Sequence, residues 1–412
     1  MTQRFLRLSA LGAALTANAL RPAVGANPLA IPSFFAAWLT SELAPQNLMV
    51  TTAGSAAYVA TRGRRGLSRT DKIALGLNAA SAAGLAVMVG QGMASRGIVE
   101  SALAETLGAD YLTRLDAPPT ESDLTTPWKT VLRPWDIKEP RVKRIADIDY
   151  VGDGKFRHKL DVYVPRAGGR DLPVVIQVHG GAWIVSQKNQ QGIPLMNHLA
   201  ARDFVCVAPN YPLSPKAKWP EHLIALKRAV AWTRANIAEY GGDPSFITVT
   251  GGSAGGHLAA MLALTPNDAR FQPGFADADT SLQACVPFYG VYDIANVLDT
   301  RAGWQRLEWF LARAMFGGRD PEHFNSATAL LQVGPDAPPF FVIHGAHDSL
   351  VPVAEARELV RRMREVSKEP VVYAELPGTQ HGFDVFHSIR GAHVIRGVER
   401  FLRWVHAGYQ QR

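Results

Sequence analysis

Phe246-Ile-Thr-Val-Thr250 runs directly into Gly251-Gly252-Ser253-Ala254-Gly255-Gly256, and the apolar spacing of Ala254 to Leu264 then reads as a helix. A serine between glycines on a strand-to-helix turn has a physical rationale. The turn is strained and the strand and helix approach so closely that a Cβ on either side has no room, which Gly251 and Gly255 accommodate. A G-x-S-x-G pattern alone arises easily by chance in a chain with 36 glycines, so the flanking strand and helix carry the reading. They also put Ser253 at a helix N-terminus, where the Ala254 N–H faces any negative charge that develops on a bound carbonyl oxygen.

Working outward, Val174-Val-Ile-Gln-Val-His179 is a second apolar strand ending in His179-Gly180-Gly181-Ala182-Trp183. Glycines after a strand can turn their N–H groups toward a substrate, so Gly180 and Gly181 join Ala254 as candidate oxyanion donors. His179 reads as a hydrogen-bonding residue that shapes this loop. A serine nucleophile on such a turn calls for an acid and then a histidine further along the chain. His381, on the loop Pro377-Gly-Thr-Gln-His381 after the Val371 to Leu376 strand, has the best context of the twelve histidines. Asp348 ends the loop that follows Phe340-Phe-Val-Ile-His344 and is the expected acid. Asp384 lies too near His381 in sequence, and Asp293 follows the preceding strand. In this reading Ser253 attacks an acyl carbon, His381 takes its proton, Asp348 stabilises the imidazolium, and water releases the acyl group; no metal or organic cofactor is called for.

Eight short apolar runs, at 144–151, 160–164, 174–179, 204–209, 246–250, 284–289, 340–344 and 371–376, alternate with helical stretches at 222–239, 254–264, 353–366 and 392–405. That alternation predicts an α/β fold: a mostly parallel eight-stranded sheet with helices on both faces. The stretch from Val142 to Tyr409 resembles the α/β-hydrolase fold carboxylesterases and lipases around the hormone-sensitive lipase group. Asn210-Tyr-Pro-Leu-Ser-Pro215, Tyr240-Gly-Gly-Asp-Pro244 and His344-Gly-Ala-His-Asp348 with Pro352 carry the likeness further. Two positions depart from that group's usual pattern: Ala182 stands where it has a third glycine, and Gly252 where it has an acid. The resemblance implies hydrolysis of a small-molecule or lipid ester through an acyl-enzyme. The His179-Gly-Gly-Ala-Trp183 form also resembles arylformamidases, which implies an N-formyl amide hydrolase as the alternative enzyme. A catalytically inactive hydrolase fold serving as a binding or scaffold protein is the alternative of another class.

Residues 1–99 differ from the rest. They hold nine Lys or Arg against two acids, Glu42 and Asp71, and so carry the whole +7 of the 412-residue chain. The basic residues sit among Ala, Gly and Leu without a recognition motif, which excludes nucleic acid as a partner. No charge occurs from Leu43 to Thr61 or from Ile73 to Ser95, and the joining segment carries Arg62, Arg64, Arg65, Arg69 and Lys72. Two such stretches predict a hydrophobic helical hairpin that associates with a membrane through residues 43–95, or packs as a cap on the catalytic part of a cytoplasmic or secreted protein. A spanning hairpin would put the basic turn in the cytoplasm and the catalytic part on the opposite side. Arg4 and Arg7 before the uncharged run to Leu20 also resemble a secretory signal, although the apolar character resumes at Pro28 to Ser41. The expected organisation is therefore a hydrophobic helical module at 1–99, a proline-containing connector at 100–141 and a catalytic domain at 142–412. Cys206 and Cys285 lie in separate apolar strands and read as small buried side chains. Trp304, Trp309, Phe310 and Phe316, in the insert at 294–337, read as core.

Overall fold

The computed structural model describes residues 2–23, 29–62, 66–300, 312–318 and 320–411. Eight strands form one sheet: β1 (Val142–Asp149), β2 (Lys159–Pro165), β3 (Leu172–Val178), β4 (Val205–Pro209), β5 (Gly242–Gly252), β6 (Cys285–Phe288), β7 (Phe340–Gly345) and β8 (Val371–Leu376). Their order is β1-β2-β4-β3-β5-β6-β7-β8, with β1 to β2 and β2 to β4 antiparallel and every later pair parallel. Each expected strand is present, because runs such as Val174 to Val178 bury both faces. Val174, Ile176 and Val178 enter one hydrophobic cluster and Val175 the other, as the two-residue period of a strand requires.

Helices cover both faces. Before the sheet come α1 (Thr2–Leu20), α2 (Ala30–Glu42), α3 (Ala44–Arg62) and α4 (Arg69–Leu107). Within the sheet region follow α5 (Ile193–Ala200), α6 (Glu221–Asn236), α7 (Ala254–Leu264), α8 (Val353–Val366) and α9 (Ile389–Gln410). The helix expected at 222–239 finishes as a 3-10 turn over Ile237–Tyr240, closed by Gly241 at φ 85°.

The hairpin expected from 43–61 and 73–95 is present as α3 and α4, but α4 continues to Leu107, past the point where the connector was expected to begin. The physical cause is a continuing apolar face: Val99, Leu103 and Leu107 are buried with α9 residues such as Val398 and Leu402 in the cluster on one side of the sheet. Gly397 lets the two helices meet, since a Cβ there would stand 2.2 Å from Val99 Cγ1. Cys206 and Cys285 are free, buried and on opposite sides of the sheet. Phe316 is buried and stacks on Phe324 at 4.3 Å; Trp304, Trp309 and Phe310 lie outside the described residues.

Candidate active site

Ser253 stands between β5 and α7 with φ 61° and ψ −124°, a conformation that costs free energy for any residue with a side chain. Close packing enforces it. A Cβ on Gly255 would come within 2.1 Å of the Val178 oxygen, and one on Gly251 within 2.5 Å of the Gly255 oxygen. The strand on one side and the helix on the other are thus pressed together, and the serine is held at their junction above the C-terminal edge of the parallel strands.

His381 lies on the loop after β8. Its Nδ1 donates to Asp348 Oδ2 at 2.7 Å, and Asp348 sits on the loop after β7. The other Asp348 oxygen accepts the N–H groups of Leu350 and Val351, each at 2.8 Å. Burial alone would raise the Asp348 pKa; the charge of His381 and a hydrogen bond from His344, whose Nε2 is 3.3 Å from Oδ2, outweigh it and hold the carboxyl well below its usual range. Asp348 therefore remains an anion inside the protein. The two loops are stapled by Gln380, whose Oε1 accepts from the backbone N–H groups of Ser349 at 3.1 Å and His381 at 3.2 Å, while its Nε2 donates to Ser349 Oγ.

The rival acids have other partners. Asp293 accepts from Val297 N at 2.8 Å and Leu298 N at 2.9 Å, capping the segment that follows it. Asp384 is buried and accepts from the Tyr289 hydroxyl. Burial raises the pKa of Asp384 and lifts that of Tyr289 well above the ordinary phenol range. The Tyr289 ring lies 4.5 Å from the His381 ring, and a Cβ on Gly252 would come within 2.7 Å of the Tyr289 hydroxyl. Gly252, the position before the serine, is what makes room for this tyrosine.

The loop after β3 passes beside the serine: a Cβ on Gly180 would lie 3.2 Å from Ser253 Cβ. Gly181, Ala182 and Trp183 all have positive φ, which turns the backbone sharply. The N–H groups of Gly181 and Ala182 meet no acceptor among the described residues, whereas the Gly180 N–H donates to Gln191 Oε1 at 2.7 Å. His179 is buried and stacks on Tyr211 at 4.3 Å. Its Nδ1 donates to the Gly180 oxygen at 2.8 Å, and burial pushes its pKa down to about 4, so it is a neutral shaper of the loop. Trp183 Nε1 donates to His257 Nδ1 at 3.2 Å, tying the loop to α7.

Sequence reasoning missed Gln191, Tyr289 and Gln380, and also the helix α2. Phe34 of α2 meets the His381 ring edge-on at 6.0 Å between centroids, and Trp38 Nε1 donates to the Gly382 oxygen at 2.9 Å. The uncharged run Pro28 to Ser41 was visible, but nothing in it pointed to a histidine some 340 positions away. Glu42, at the end of α2, forms a buried ion pair with Arg390 of α9.

A BD-FAE family profile matches residues 160–363. A probable carboxylic ester hydrolase, LipM, from Mycobacterium tuberculosis is 42% identical over 98% of this chain and 93% of its own length. Esterase LipQ from the same organism is 41% identical over 74% of this chain and 73% of its own. Among solved structures, esterase B from Lactobacillus rhamnosis superposes with a TM-score of 0.56 at 19% identity, over 77% of this chain and 98% of its own, and so shares the α/β-hydrolase fold.

Proposed function

We propose a mechanism from one premise: the chain belongs to the hormone-sensitive-lipase-like family of carboxylic ester hydrolases that includes LipM, and it hydrolyses carboxylic esters. Ser253 is the nucleophile, His381 the general base and Asp348 the acid that orients it. The carrying observation is the 2.7 Å contact between His381 Nδ1 and an Asp348 carboxylate whose second oxygen is held by two backbone amides. That contact puts the proton on Nδ1 and leaves Nε2 basic. Ser253 Oγ attacks the acyl carbon as its proton passes to His381 Nε2, the imidazolium then protonates the leaving alkoxide, and water repeats the sequence on the acyl-enzyme. Asp348 stays ionised throughout.

The oxyanion is received by the Ala254 N–H at the start of α7 and the Gly181 N–H, with the Ala182 N–H beside it. Gly180, whose N–H is satisfied by Gln191, is assigned to shaping the loop rather than to donating. A domain organisation of helical module, connector and catalytic part is proposed with the module ending at Leu107, where α4 ends, and membrane association is proposed through the helical region. Among the described residues one helix, Arg69–Leu107, is long and apolar enough to cross a membrane.

The test is hydrolysis of p-nitrophenyl esters from acetate to palmitate by the wild-type protein beside Ser253→Ala and His381→Ala, with N-formylkynurenine as a second substrate. Ester turnover lost in both variants is expected. Turnover that survives Ser253→Ala overturns the assignment, and a preference for the formamide replaces the ester by an amide as substrate.

A further inference from the structure

The four N-terminal helices have an inverted distribution of polarity. On α1, α3 and the first half of α4 the outward positions are apolar: Leu8, Val50 and Val87 are 59%, 72% and 53% exposed. The small polar residues point inward instead. Ser9, Thr16 and Ser81 are buried, a Cβ on Gly84 would touch Thr16 Cγ2, and Asn78 Nδ2 donates to Ser55 Oγ at 2.8 Å across the α3–α4 seam. In water this arrangement exposes what it should bury. In hydrocarbon it is the expected one, because helices there associate through small residues and interhelical hydrogen bonds rather than through apolar burial.

Three further observations agree. First, the exposed hydroxyls on α3 need no water: Thr52 Oγ1 donates to the Leu48 oxygen at 2.8 Å and Thr61 Oγ1 to the Ala57 oxygen at 3.0 Å, as spanning helices require. Second, the only two acids of residues 1–99 are removed from the surface. Glu42 is buried against Arg390, and Asp71 is buried beneath Tyr58 and Ser68. The charge that this surface presents is thus positive. Third, that charge marks the two ends of the apolar faces. Arg4, Arg7, Arg62, Arg69 and Lys72 gather at one end, where Arg62 Nη2 donates to Thr2 Oγ1 at 2.7 Å, and the next charges along the helices are Arg21, Glu42 and Arg96. The stretch from Ile73 to Ser95 rises about 35 Å at 1.5 Å per residue, but Gln91 and Gly92 already meet Gly378 and Ile389 of the catalytic part; on α1 the uncharged run between Arg7 and Arg21 rises about 20 Å, and the long arginine side chains at its ends reach outward to make up a hydrocarbon core of about 30 Å.

We propose that the first half of α4, the one helix long and apolar enough to cross by itself among the described residues, enters a lipid bilayer with α1 and α3 packed on it as one three-helix bundle. The proposal rests on the membrane association put forward above and goes beyond it. A two-helix hairpin leaves α1 outside, whereas here Phe5 stacks on Tyr58 of α3 at 3.7 Å, and Thr16 packs directly on Gly84 of α4. The basic end lies on the cytoplasmic side and the catalytic part on the other. At that other end of the band lies α2, with Ile31 and Phe35 exposed on one side and Phe34 against His381 on the other, so an ester dissolved in the bilayer reaches Ser253 past this helix.

The experiment uses the full chain expressed in bacterial cells. Single cysteines are placed on the outward faces by Ala14→Cys in α1, Ala56→Cys in α3 and Ala83→Cys in α4, with Ser122→Cys as an exposed control in the connector; the native Cys206 and Cys285 are buried. Membranes are washed with alkaline carbonate and permeabilised vesicles are treated with a hydrophilic maleimide. The protein is expected to stay in the membrane pellet, with the control labelled and the three band positions unlabelled until the chain is unfolded in dodecyl sulfate. Protein found in the soluble or carbonate fraction overturns membrane embedding altogether. Retention in the pellet with Ala14→Cys labelled like the control overturns the three-helix bundle while leaving a two-helix anchor. Shielding of all three positions in a soluble oligomer assigns the face to a second copy of the chain and overturns the proposal. p-Nitrophenyl butyrate turnover by each variant reports that the catalytic part is folded.

Discussion

At the residue scale, the proposed triad rests on how few alternatives each side chain has. Asp348 has both oxygens engaged and stays anionic against the cost of burial, so its loss has one clear effect on His381. Asp348→Asn preserves the shape but favours the wrong imidazole tautomer; kcat for p-nitrophenyl butyrate should fall on the order of 10⁴-fold, with a lower thermal transition because the buried anion's hydrogen bonds lose their charge. Tyr289 is a different case, because its hydroxyl satisfies the buried Asp384 beside the His381 ring. Tyr289→Phe leaves that carboxyl without its donor and should cost about 1–3 kcal/mol of stability, read by denaturant unfolding. Double replacement by Tyr289→Phe and Asp384→Leu should recover most of that loss.

At the element scale, two seams hold the catalytic edge. The first is the strand-to-helix turn, where Gly255→Ala would drive a methyl group to 2.1 Å from the Val178 oxygen. That variant should lose ester turnover and shift the thermal transition downward, since relieving the overlap means separating β3 from α7. The second joins α2 to α9 through the buried Glu42–Arg390 pair. Breaking such a pair strands a charge: Glu42→Gln should destabilise by about 3–5 kcal/mol, whereas replacing both residues by methionine should be near neutral. Denaturant midpoints of the single and double variants measure the difference, and the double variant isolates the role of α2 as a wall of the site from that of the ion pair.

At the scale of the whole molecule, buried neutral histidines set the acid limit. Burial lowers His179 to about 4 and His222 to about 3 from an ordinary value of 6.5. Between pH 6.5 and about 4 the unfolded chain takes up protons that the native state refuses, so stability is greatest above 6.5 and falls as the pH drops through that window. The slope is about 1.4 kcal/mol per pH unit for each such histidine. Lys227 acts at the other end: it is buried among neutral acceptors, and burial lowers it to about 8, so its contribution improves as pH rises from 8 toward 10.5. Calorimetry from pH 4 to pH 10 should show both trends. Lys227→Met should remove the alkaline one, and His222→Gln should flatten the acidic one.

By itself the sequence determined the sheet and the strand-to-helix turn that carries Ser253. Alternating β-branched runs, glycines at positions 251 and 255, and the order Ser253, Asp348, His381 are local signals, because strand period, turn sterics and chain order need no knowledge of distant contacts. It also revealed the uncharged helices and their basic end. What only the tertiary structure decided is whatever depends on close approach between remote segments. Tyr289 fills the space left by Gly252 and binds Asp384, Gln191 claims the Gly180 amide, α2 reaches His381, and α4 runs on to Leu107 because α9 offers it an apolar face. None of these has a periodicity or a spacing of its own. Each is a matter of which side chain fills a gap once the sheet has brought two distant loops within a few ångströms, and that is settled by packing rather than by pattern.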